Sequence, residues 1–306
     1  MAKILVATEK PFAKAAVDGI RKVVEEAGFE LALLEKYTDP NDLVKAVADA
    51  DALIVRSDKA TKEVIEAGKN LKIIVRAGAG FDNVDLAAAT AKGMVVMNTP
   101  GQNSNAVAEL ALGMMVFMAR ANFKGGSGTE LKGKKLGIHA YGYVGKMVSA
   151  IAKGFGMNVF AFDPFVAKEA IEKDGVKAVA SVEELYQTCH YISLHIPAND
   201  KTKNSINFDL LSKMPKGATL VNTARKEVIH EDSLKKILAE REDFKYISDI
   251  APACHEELLK FENRYYSTPK KQGAETSEAN INAGIAAAKQ IIGFIKNGDR
   301  TFQVNK

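Results

Sequence analysis

The stretch KLGIHAYGYVG, residues 135–145, decides how this chain folds. It begins with an apolar run typical of a buried strand and continues into a turn with glycines at close spacing. The apolar spacing over residues 147–155 then predicts a helix, and NVFAFD, residues 158–163, predicts a second strand that ends on Asp163. Strand, tight turn, helix and strand in this order predict a parallel βαβ unit.

The glycines and the acid of this unit have the spacing that a dinucleotide requires. Because Gly142 lacks a Cβ, the backbone can approach a pyrophosphate at the helix N-terminus, where N–H groups favour negative charge. Gly145 lets the helix lie close on the strand. Asp163, 18 residues later, can accept hydrogen bonds from ribose hydroxyls and would repel a 2′-phosphate, which predicts NAD rather than NADP. Ala140 stands where the first glycine is usual, so we expect a negative φ at that residue.

Composition limits the class of protein. With 306 residues and 47% apolar side chains, the chain can bury a large core, and we expect two domains. A net charge of +4 is too small to indicate a nucleic-acid partner, and neither a signal peptide nor a bilayer-spanning run is visible. Cys189 and Cys254 form neither a metal-ligand cluster nor a disulfide framework, so we predict a cytoplasmic protein without a metal.

Short apolar strands alternate with helical stretches through the first hundred residues. The predicted strands are Ile4–Ala7, Phe29–Leu34, Ala52–Val55, Lys72–Val75 and Met94–Met97. Such alternation predicts a parallel sheet with helices on both faces. No glycine turn of the dinucleotide type occurs there, so this sheet is not expected to hold the main nucleotide site.

The rest of the chain repeats the pattern. A long helix is predicted over residues 104–121, with its methionines as core filling. Further strands are predicted at Tyr191–His195, Ala218–Asn222 and Lys245–Ile250, and a last helix at Ser277–Lys296 is followed by a strand at Thr301–Val304. We expect this last segment to return to the first domain. The fold class is therefore α/β, with two doubly wound, Rossmann-like parallel-sheet domains: residues 1–100 with 278–306, discontinuous in sequence, and 101–277.

Several short motifs follow one another in a recognisable order. They are Val55-Arg56-Ser57, the Arg76–Gly80 run followed by Asp82–Asp85, Asn98-Thr99-Pro100, Ser193–Pro197, Asn222–Arg225 and Thr268-Pro269. Together with the glycine turn they resemble the D-isomer-specific 2-hydroxyacid dehydrogenase family over essentially the whole chain. Within the family, the resemblance is to short, lysine-type phosphoglycerate dehydrogenases. It implies NAD-dependent oxidation of D-3-phosphoglycerate to 3-phosphohydroxypyruvate in serine biosynthesis, with a substrate-binding first domain and an NAD-binding second domain.

The resemblance also implies the catalytic residues. The family's substrate-binding arginine corresponds to Arg225, whose planar guanidinium suits a carboxylate. The family's base is a histidine after Thr-Pro, paired with a glutamate; both are missing here. Counting back from Glu278 places Lys271 at the histidine position and Lys270 one step off, so we hypothesise that Lys271 is the acid/base. An unperturbed lysine, with a pKa of about 10.4, is protonated at pH 7. Burial and nearby Arg225 would be needed to bring that pKa to about 8, and we hypothesise that the oxidation rate climbs with pH further into the alkaline range than in a histidine enzyme.

Two further residue sets are implied by the resemblance. For the substrate they are Arg56, Ser57, Arg76, Ala77, Gly78 and Asn98; Arg56 and Arg76 would recognise phosphate, Ala77 and Gly78 would offer backbone N–H groups, and a loop-capping role for Asn98 stays open. For NAD they are Gly142, Tyr143, Val144, Gly145, Asp163, Pro164, His195, Ile196, Pro197, Thr202, Thr223, Ala224 and Asp249.

Other functions remain open at this level. A hydroxypyruvate or glyoxylate reductase would use the same machinery on a smaller anion. A non-catalytic NADH-sensing scaffold would fit the changed glutamate and histidine positions. His255 is a second candidate for the work of the missing carboxylate. By analogy with the family, we expect a homodimer formed through the long helix at residues 104–121.

Overall fold

A computed structural model describes residues 1–305. The chain divides into two compact units: Met1–Asn103 together with the residues from Glu275 on, and Ser104–Ala274. Both are α/β units with parallel sheets, and the first is discontinuous in sequence, as the pattern predicts.

The described residues of the first unit form a five-stranded parallel sheet of order β2-β1-β3-β4-β5. Its elements are β1 (Lys3–Thr8), α1 (Lys14–Glu26), β2 (Glu30–Glu35), α2 (Pro40–Ala46), β3 (Ala52–Val55), α3 (Lys62–Ala67), β4 (Ile73–Arg76), α4 (Leu86–Ala91), β5 (Val95–Asn98) and the last helix of the chain, α12 (Ser277–Asn297). The central strands are continuous apolar runs because both faces of the sheet are covered.

Helices α1 and α12 cover one face of this sheet and approach each other closely. A Cβ at Gly19 would lie 2.8 Å from Cδ1 of Ile285, and a Cβ at Gly284 would lie 2.8 Å from Cδ1 of Ile20. Two glycines therefore let a side chain of each helix enter the surface of the other. The α12 segment thus supplies part of the core that the first hundred residues lack.

The predicted strand at Thr301–Val304 is wrong. Gln303 forms an isolated antiparallel bridge with Met97, and the Val304 N–H donates to the Val96 carbonyl. Next to it, the side chain of Asn305 accepts from the Val96 N–H at 2.7 Å and donates to the Met94 carbonyl at 2.8 Å. A side-chain amide therefore makes the hydrogen bonds to the free edge of β5 that the predicted strand would have made.

The second unit forms a seven-stranded parallel sheet of order β12-β11-β10-β9-β6-β7-β8, all within the described residues. Its elements are α5 (Ser104–Ala119), β6 (Lys135–His139), α6 (Tyr143–Gly154), β7 (Asn158–Phe162), α7 (Lys168–Glu172), β8 (Lys177–Ala178), α8 (Val182–Thr188), β9 (Tyr191–Leu194), α9 (Phe208–Ser212), β10 (Thr219–Asn222), α10 (Glu231–Glu240), β11 (Lys245–Ser248), α11 (His255–Leu258) and β12 (Tyr265–Ser267). The edge strands β8 and β12 were not predicted. The predicted methionines of α5 are buried core residues: Met114, Met115 and Met118.

The strand order of the second unit reverses at β6. Strands β7 and β8 lie on one side of it, and β9 to β12 lie on the other. In open parallel sheets, ligands bind at the carboxyl ends of the strands beside such a reversal. The functional residues of this unit are therefore expected at the carboxyl ends of β6, β7, β9, β10 and β11.

Candidate functional site

The glycine turn joins the end of β6 to the start of α6. Gly142 is the N-cap of α6, with φ −78°, and a Cβ placed on it would meet no atom within 4 Å. The N–H groups of the first helical turn have no partner inside the helix, so this open side can hold an anion. At Gly145 a Cβ would lie 2.4 Å from the Ala140 carbonyl oxygen and 3.0 Å from Cγ2 of Ile138. Gly145 is thus the point where helix and strand touch.

The expectation of a negative φ at Ala140 is wrong, because its φ is +81°. The Ala140 N–H donates to the Phe162 carbonyl of β7 at 2.9 Å, while its own carbonyl oxygen faces Gly145. These two neighbours determine the turn, and the alanine accepts a conformation that ordinarily belongs to glycine. Such strain costs about 1–3 kcal/mol.

Asp163 lies directly after β7 and is fixed by two backbone groups. Its Oδ2 accepts the Tyr141 N–H and its Oδ1 accepts the Phe165 N–H, both at 2.8 Å. Because a carboxylate has about four lone-pair sites, acceptor capacity remains for hydroxyl donors. The neighbouring Pro164 is exposed, and so is Tyr143 in the first turn of α6. The acid and the glycine turn are therefore held together by the backbone of Tyr141.

Two histidines stand at the ends of β6 and β9. Burial lowers the pKa of His195 to about 3, assisted by nearby His139. Burial likewise lowers the pKa of His139 to about 4, against the opposing influence of Asp163. The Nε2 of His195 lies 2.9 Å from the Ser193 hydroxyl. Both imidazoles are neutral at physiological pH, so they can take part in hydrogen bonds without adding charge.

The loop after β9 carries three of the predicted cofactor residues. Ile196 is buried in the core, and Pro197 is exposed. The Thr202 hydroxyl donates to the Pro197 carbonyl and accepts the Asn199 N–H at 2.9 Å. Thr202 therefore closes this loop internally, and its side chain has partners without a ligand.

The segment after β10 is shaped by Asn222. The Asn222 amide donates to the Arg225 carbonyl, and its Oδ1 accepts the Ala224 N–H, both at 3.0 Å. The Arg225 side chain is exposed, with Nη1 donating to the Ala224 carbonyl at 3.1 Å. Among residues 1–305, the Thr223 hydroxyl is one of the buried polar groups without a hydrogen-bond partner. A buried orphan hydroxyl beside an exposed guanidinium fits a polar ligand.

The segment after β12 carries both candidate lysines. Thr268, Gln272 and Gly273 all donate hydrogen bonds to Asp249, which follows β11 and is 1% exposed. Lys270 and Lys271 are exposed. Both lysines therefore lie at the surface, on a loop whose neighbouring residues are bonded to Asp249.

His255 has a partner of its own. Its Nδ1 lies 2.7 Å from the Tyr265 hydroxyl at the sheet edge. A role for His255 in place of the missing carboxylate stays a hypothesis.

In the first unit, two arginines follow neighbouring strands. Arg56 comes directly after β3, and Arg76 ends β4. The Nε of Arg76 donates to the Arg56 carbonyl at 3.0 Å. The Arg56 guanidinium binds Oδ1 of Asn280 at 2.5 Å and stacks over the ring of Phe12 at 5.0 Å. Two positive groups are thus held at one edge of this sheet.

Gly78 makes room for this pair. A Cβ there would lie 1.7 Å from Nη1 of Arg76, and φ at Gly78 is +152°. The expectation that Ala77 and Gly78 offer backbone N–H groups to a substrate is wrong. The Ala77 N–H donates to the Val55 carbonyl at 2.8 Å, and the Gly78 N–H donates to the Arg76 carbonyl at 2.9 Å. Each donor is already occupied by the chain.

Three more residues complete this edge. The Asn98 amide donates to the Ala79 carbonyl at 2.6 Å, which is a contact of the loop-capping kind considered for this residue. The side chain of Ser57 is exposed. Sequence reasoning missed Asp58, which is 6% exposed and accepts the Glu9 N–H and the Tyr37 hydroxyl. The signal that could have identified Asp58 is its position directly after the Arg56-Ser57 motif.

Among residues 1–305, no group of three or more His, Cys, Asp or Glu side chains is arranged so that it could hold a metal ion. Over the same residues, no helix is long and apolar enough to cross a membrane. The second unit carries an open glycine turn, a fixed acid and an orphan hydroxyl, and these features fit a dinucleotide.

Comparison with known proteins agrees with this geometry. Residues 110–270 match the family model for the NAD-binding domain of D-isomer-specific 2-hydroxyacid dehydrogenases. The chain is 39% identical to the D-3-phosphoglycerate dehydrogenase of Methanocaldococcus jannaschii, over 88% of this chain and 54% of that protein. It is 37% identical to the hydroxypyruvate reductase of Thermotoga maritima, over 86% of this chain and 90% of that one. This chain therefore spans about half the length of the first of these relatives.

A solved structure is similar over the full length. The NAD⁺-bound 3-phosphoglycerate dehydrogenase of Entamoeba histolytica is 51% identical and superimposes with a TM-score of 0.88. The match covers 100% of this chain and 99% of that one.

Proposed function

The chain belongs to the D-isomer-specific 2-hydroxyacid dehydrogenase family and carries its NAD-binding domain, and from this premise we propose that it oxidises D-3-phosphoglycerate to 3-phosphohydroxypyruvate with NAD. This reaction is a step of serine biosynthesis. The observation that carries the choice of substrate is the arginine pair of the first unit, Arg56 and Arg76. The 51% identity to a 3-phosphoglycerate dehydrogenase supports the same choice.

The charge of the substrate explains why a pair of arginines matters. Phosphoglycerate carries a carboxylate and a phosphate, whereas glyoxylate carries a carboxylate alone. Arg56 is prearranged by Asn280 and Phe12, and Arg76 by the missing Cβ of Gly78. Guanidinium groups already ordered in this way lose little side-chain entropy when they bind phosphate.

Each remaining residue has a chemical task. The Arg225 guanidinium binds the substrate carboxylate, and Lys271 takes the hydroxyl proton in oxidation or returns it in reduction. NAD, when bound, supplies the acceptor for the hydride. Gly142 and Gly145 allow the approach of its pyrophosphate, and Asp163 binds the ribose hydroxyls. For Tyr143, Val144, Pro164, His195, Ile196, Pro197, Thr202, Thr223 and Ala224 a cofactor contact remains a proposal.

Substrate choice is tested by comparing phosphorylated with unphosphorylated hydroxypyruvate in the direction of NADH oxidation. Arg56→Ala and Arg76→Ala are each expected to lower kcat/KM for the phosphorylated substrate at least ~10-fold and to change the other much less, since a lost hydrogen bond to a charged group is worth about 1.5–3 kcal/mol. Arg21→Ala, an exposed arginine on α1, is the control. If both variants keep wild-type kinetics with the phosphorylated substrate, the substrate assignment is wrong.

The base is tested by two adjacent substitutions. Lys271→Ala is expected to lower kcat roughly 10²- to 10⁴-fold, as the loss of a general acid/base does. Lys270→Ala, its exposed neighbour, is expected to keep kcat. Oxidation by the wild-type enzyme is expected to speed up through the alkaline range, because a lysine must lose its proton before it can take another. Full activity in Lys271→Ala would reject this role.

A second candidate is hydroxypyruvate reduction. It is favoured by the Thermotoga maritima relative, 90% of whose length is matched. A higher kcat/KM for hydroxypyruvate than for its phosphorylated form would select this candidate. Binding of NADH without turnover of either substrate would instead indicate the NADH-sensing scaffold.

We also propose a homodimer that forms through α5 and the loop after it. Phe123 is 66% exposed, stacks edge-on against Phe117 at 5.3 Å, and follows two residues with positive φ, Ala121 and Asn122. Phe123→Ser is expected to yield a monomer in light scattering, whereas Phe155→Ser, exposed at the end of α6, is expected to leave the mass unchanged.

For location, we propose the cytoplasm. Cys189 and Cys254 are both buried free thiols, and burial raises the pKa of each to about 12, which suits a reducing compartment. Cell fractionation with antibody detection tests this proposal, and recovery in a membrane or secreted fraction would contradict it.

A further inference from the structure

Asp249 is a buried carboxylate at the carboxyl end of β11. It is 1% exposed, and its N–H donates to the Asn222 carbonyl of the neighbouring strand. Its Oδ1 accepts the Thr268 hydroxyl at 3.1 Å and the Gln272 N–H at 3.0 Å, and its Oδ2 accepts the Gly273 N–H at 2.8 Å. Three hydrogen bonds therefore join this one side chain to the segment that follows β12.

These three donors lie on both sides of the candidate base. Thr268 precedes Lys271 by three residues, and Gln272 and Gly273 follow it directly. A Cβ at Gly273 would lie 2.8 Å from Oδ2 of Asp249, so the loop backbone rests directly on the carboxylate. The two ends of the loop are therefore anchored at a single buried side chain, and Pro269, Lys270 and Lys271 project outward.

We propose that Asp249 is the positioning residue of Lys271. In this role it would hold the base in place, as the family's glutamate holds its histidine. This inference rests on the proposed function. The carboxyl group of Asp249 binds the residues on either side of Lys271. The backbone of Lys271 is therefore held in a defined position even though its side chain is exposed. Because the rate of a proton transfer depends steeply on the position of the base, an anchor of this kind affects kcat more than ligand affinity.

The resemblance implies a different role, in which Asp249 contacts the nicotinamide. The two roles predict different kinetics. An aspartate that binds the cofactor affects NADH affinity whether or not Lys271 is present. An aspartate that acts through the loop loses its effect once the lysine has been removed.

The experiment uses the full chain and two ways of weakening the anchor. Asp249→Asn places an amide donor against the loop N–H groups, and Thr268→Val removes one hydroxyl donor of nearly the same shape. We expect kcat for phosphoglycerate oxidation to fall at least ~10-fold in Asp249→Asn and about 3- to 10-fold in Thr268→Val, since misplacement by 1 Å can cost 10²-fold. Thr268→Ser keeps the hydroxyl and is therefore expected to keep the wild-type kcat. NADH affinity, measured by fluorescence, is expected to change less than about 2-fold in all three.

A double-mutant cycle and a proteolysis assay complete the test. In the Lys271→Met background, Asp249→Asn is expected to lower the residual kcat less than about 2-fold. Trypsin, followed by mass spectrometry, is expected to cut after Lys270 and Lys271 several-fold faster in Asp249→Asn and Thr268→Val than in the wild type or Thr268→Ser.

The proposal is overturned if Asp249→Asn weakens NADH binding in the Lys271→Met background, or if cleavage and kcat both stay at wild-type values. A wild-type protein that binds NADH without oxidising phosphoglycerate would sink the proposed function by itself. In that case the cleavage rates still decide whether Asp249 holds the loop in place.

Discussion

Replacing Gly145 by alanine tests the contact on which the nucleotide turn depends. The new Cβ would lie 2.4 Å from a backbone oxygen, that of Ala140, where ordinary contact begins near 3.4 Å. Helix α6 must therefore move by about 1 Å, because neither backbone can yield on its own. Overpacking of this kind costs about 1–3 kcal/mol, or a drop of several degrees in melting temperature for a unit of this size.

The same movement displaces the first turn of α6, and cofactor binding should weaken with it. Anion binding at a helix N-terminus is worth about 0.3–2 kcal/mol, so we expect roughly 2- to 30-fold weaker NADH binding. Gly142→Ala separates the two effects. At Gly142 a Cβ meets nothing within 4 Å and φ is negative, so its stability should stay unchanged while NADH binding falls.

Differential scanning calorimetry and NADH titration measure both quantities. Gly154→Ala is the matched control, since it lies at the end of the same helix and its Cβ also meets nothing within 4 Å. We expect it to raise the unfolding free energy by about 0.5–1 kcal/mol and to bind NADH normally. If Gly145→Ala melts and binds NADH like the wild type, the reasoning about this contact is refuted.

Three other substitutions test separate features. Ala140→Gly removes the strain of a positive φ, so urea unfolding should show a gain of about 1 kcal/mol with unchanged NADH affinity, and a loss would contradict the strain. The hydrogen bond from Arg241 holds the pKa of Asp243 at about 2, so its stabilisation is present above pH 4 and is lost as pH falls toward 2. Asp243→Asn should therefore cost up to about 2 kcal/mol in urea unfolding at pH 7 and much less at pH 2, where the folded carboxyl group is half protonated; an equal loss at both pH values would count against the hydrogen bond between Asp243 and Arg241. Burial lowers the pKa of His195 to about 3, so the unfolded chain takes up its proton first and stability falls from pH 6.5 downward; His195→Asn should flatten that slope in urea unfolding between pH 7 and 4.

Much of the fold follows from hydrophobic periodicity. Strand β3 has the predicted bounds, Ala52–Val55, because a fully buried strand shows as an unbroken apolar run. Strand β8 has two residues and β12 has three, which is too short for any periodicity to register. Their pairing depends on the strand beside them, which a local pattern does not contain.

The errors at single residues share a physical cause, namely partners that are distant in sequence. The φ of Ala140 is determined by a hydrogen bond to Phe162 and by the approach of α6, which overrule the preference of alanine. The Asn305 side chain satisfies β5 from 209 positions away. The hydrogen-bond donors of the Asp249 carboxyl group likewise lie about 20 residues further along the chain.

The residues of the candidate site belong to sequence motifs, whereas the residues around them do not. Arg56 and Arg76 lie at the carboxyl ends of neighbouring parallel strands of the first unit, and Arg225 lies after β10 of the second. The two groups that contact the Arg56 guanidinium, Asn280 and Phe12, carry no motif of their own. Residue type and spacing therefore predict which kinds of side chain the candidate site contains. The contacts that orient these side chains become visible in the folded structure alone.

The dependence of the first unit on α12 has a consequence for biosynthesis. Residues 104–274 form a continuous unit that can close while the ribosome is still translating. The β1–β5 sheet must wait for a helix that begins about 250 residues after α1 ends, and the loop to be closed is long. Until that helix emerges, the nascent chain exposes the apolar face that Ile20 and Ile285 later share, and during this interval chaperones have their best opportunity to bind.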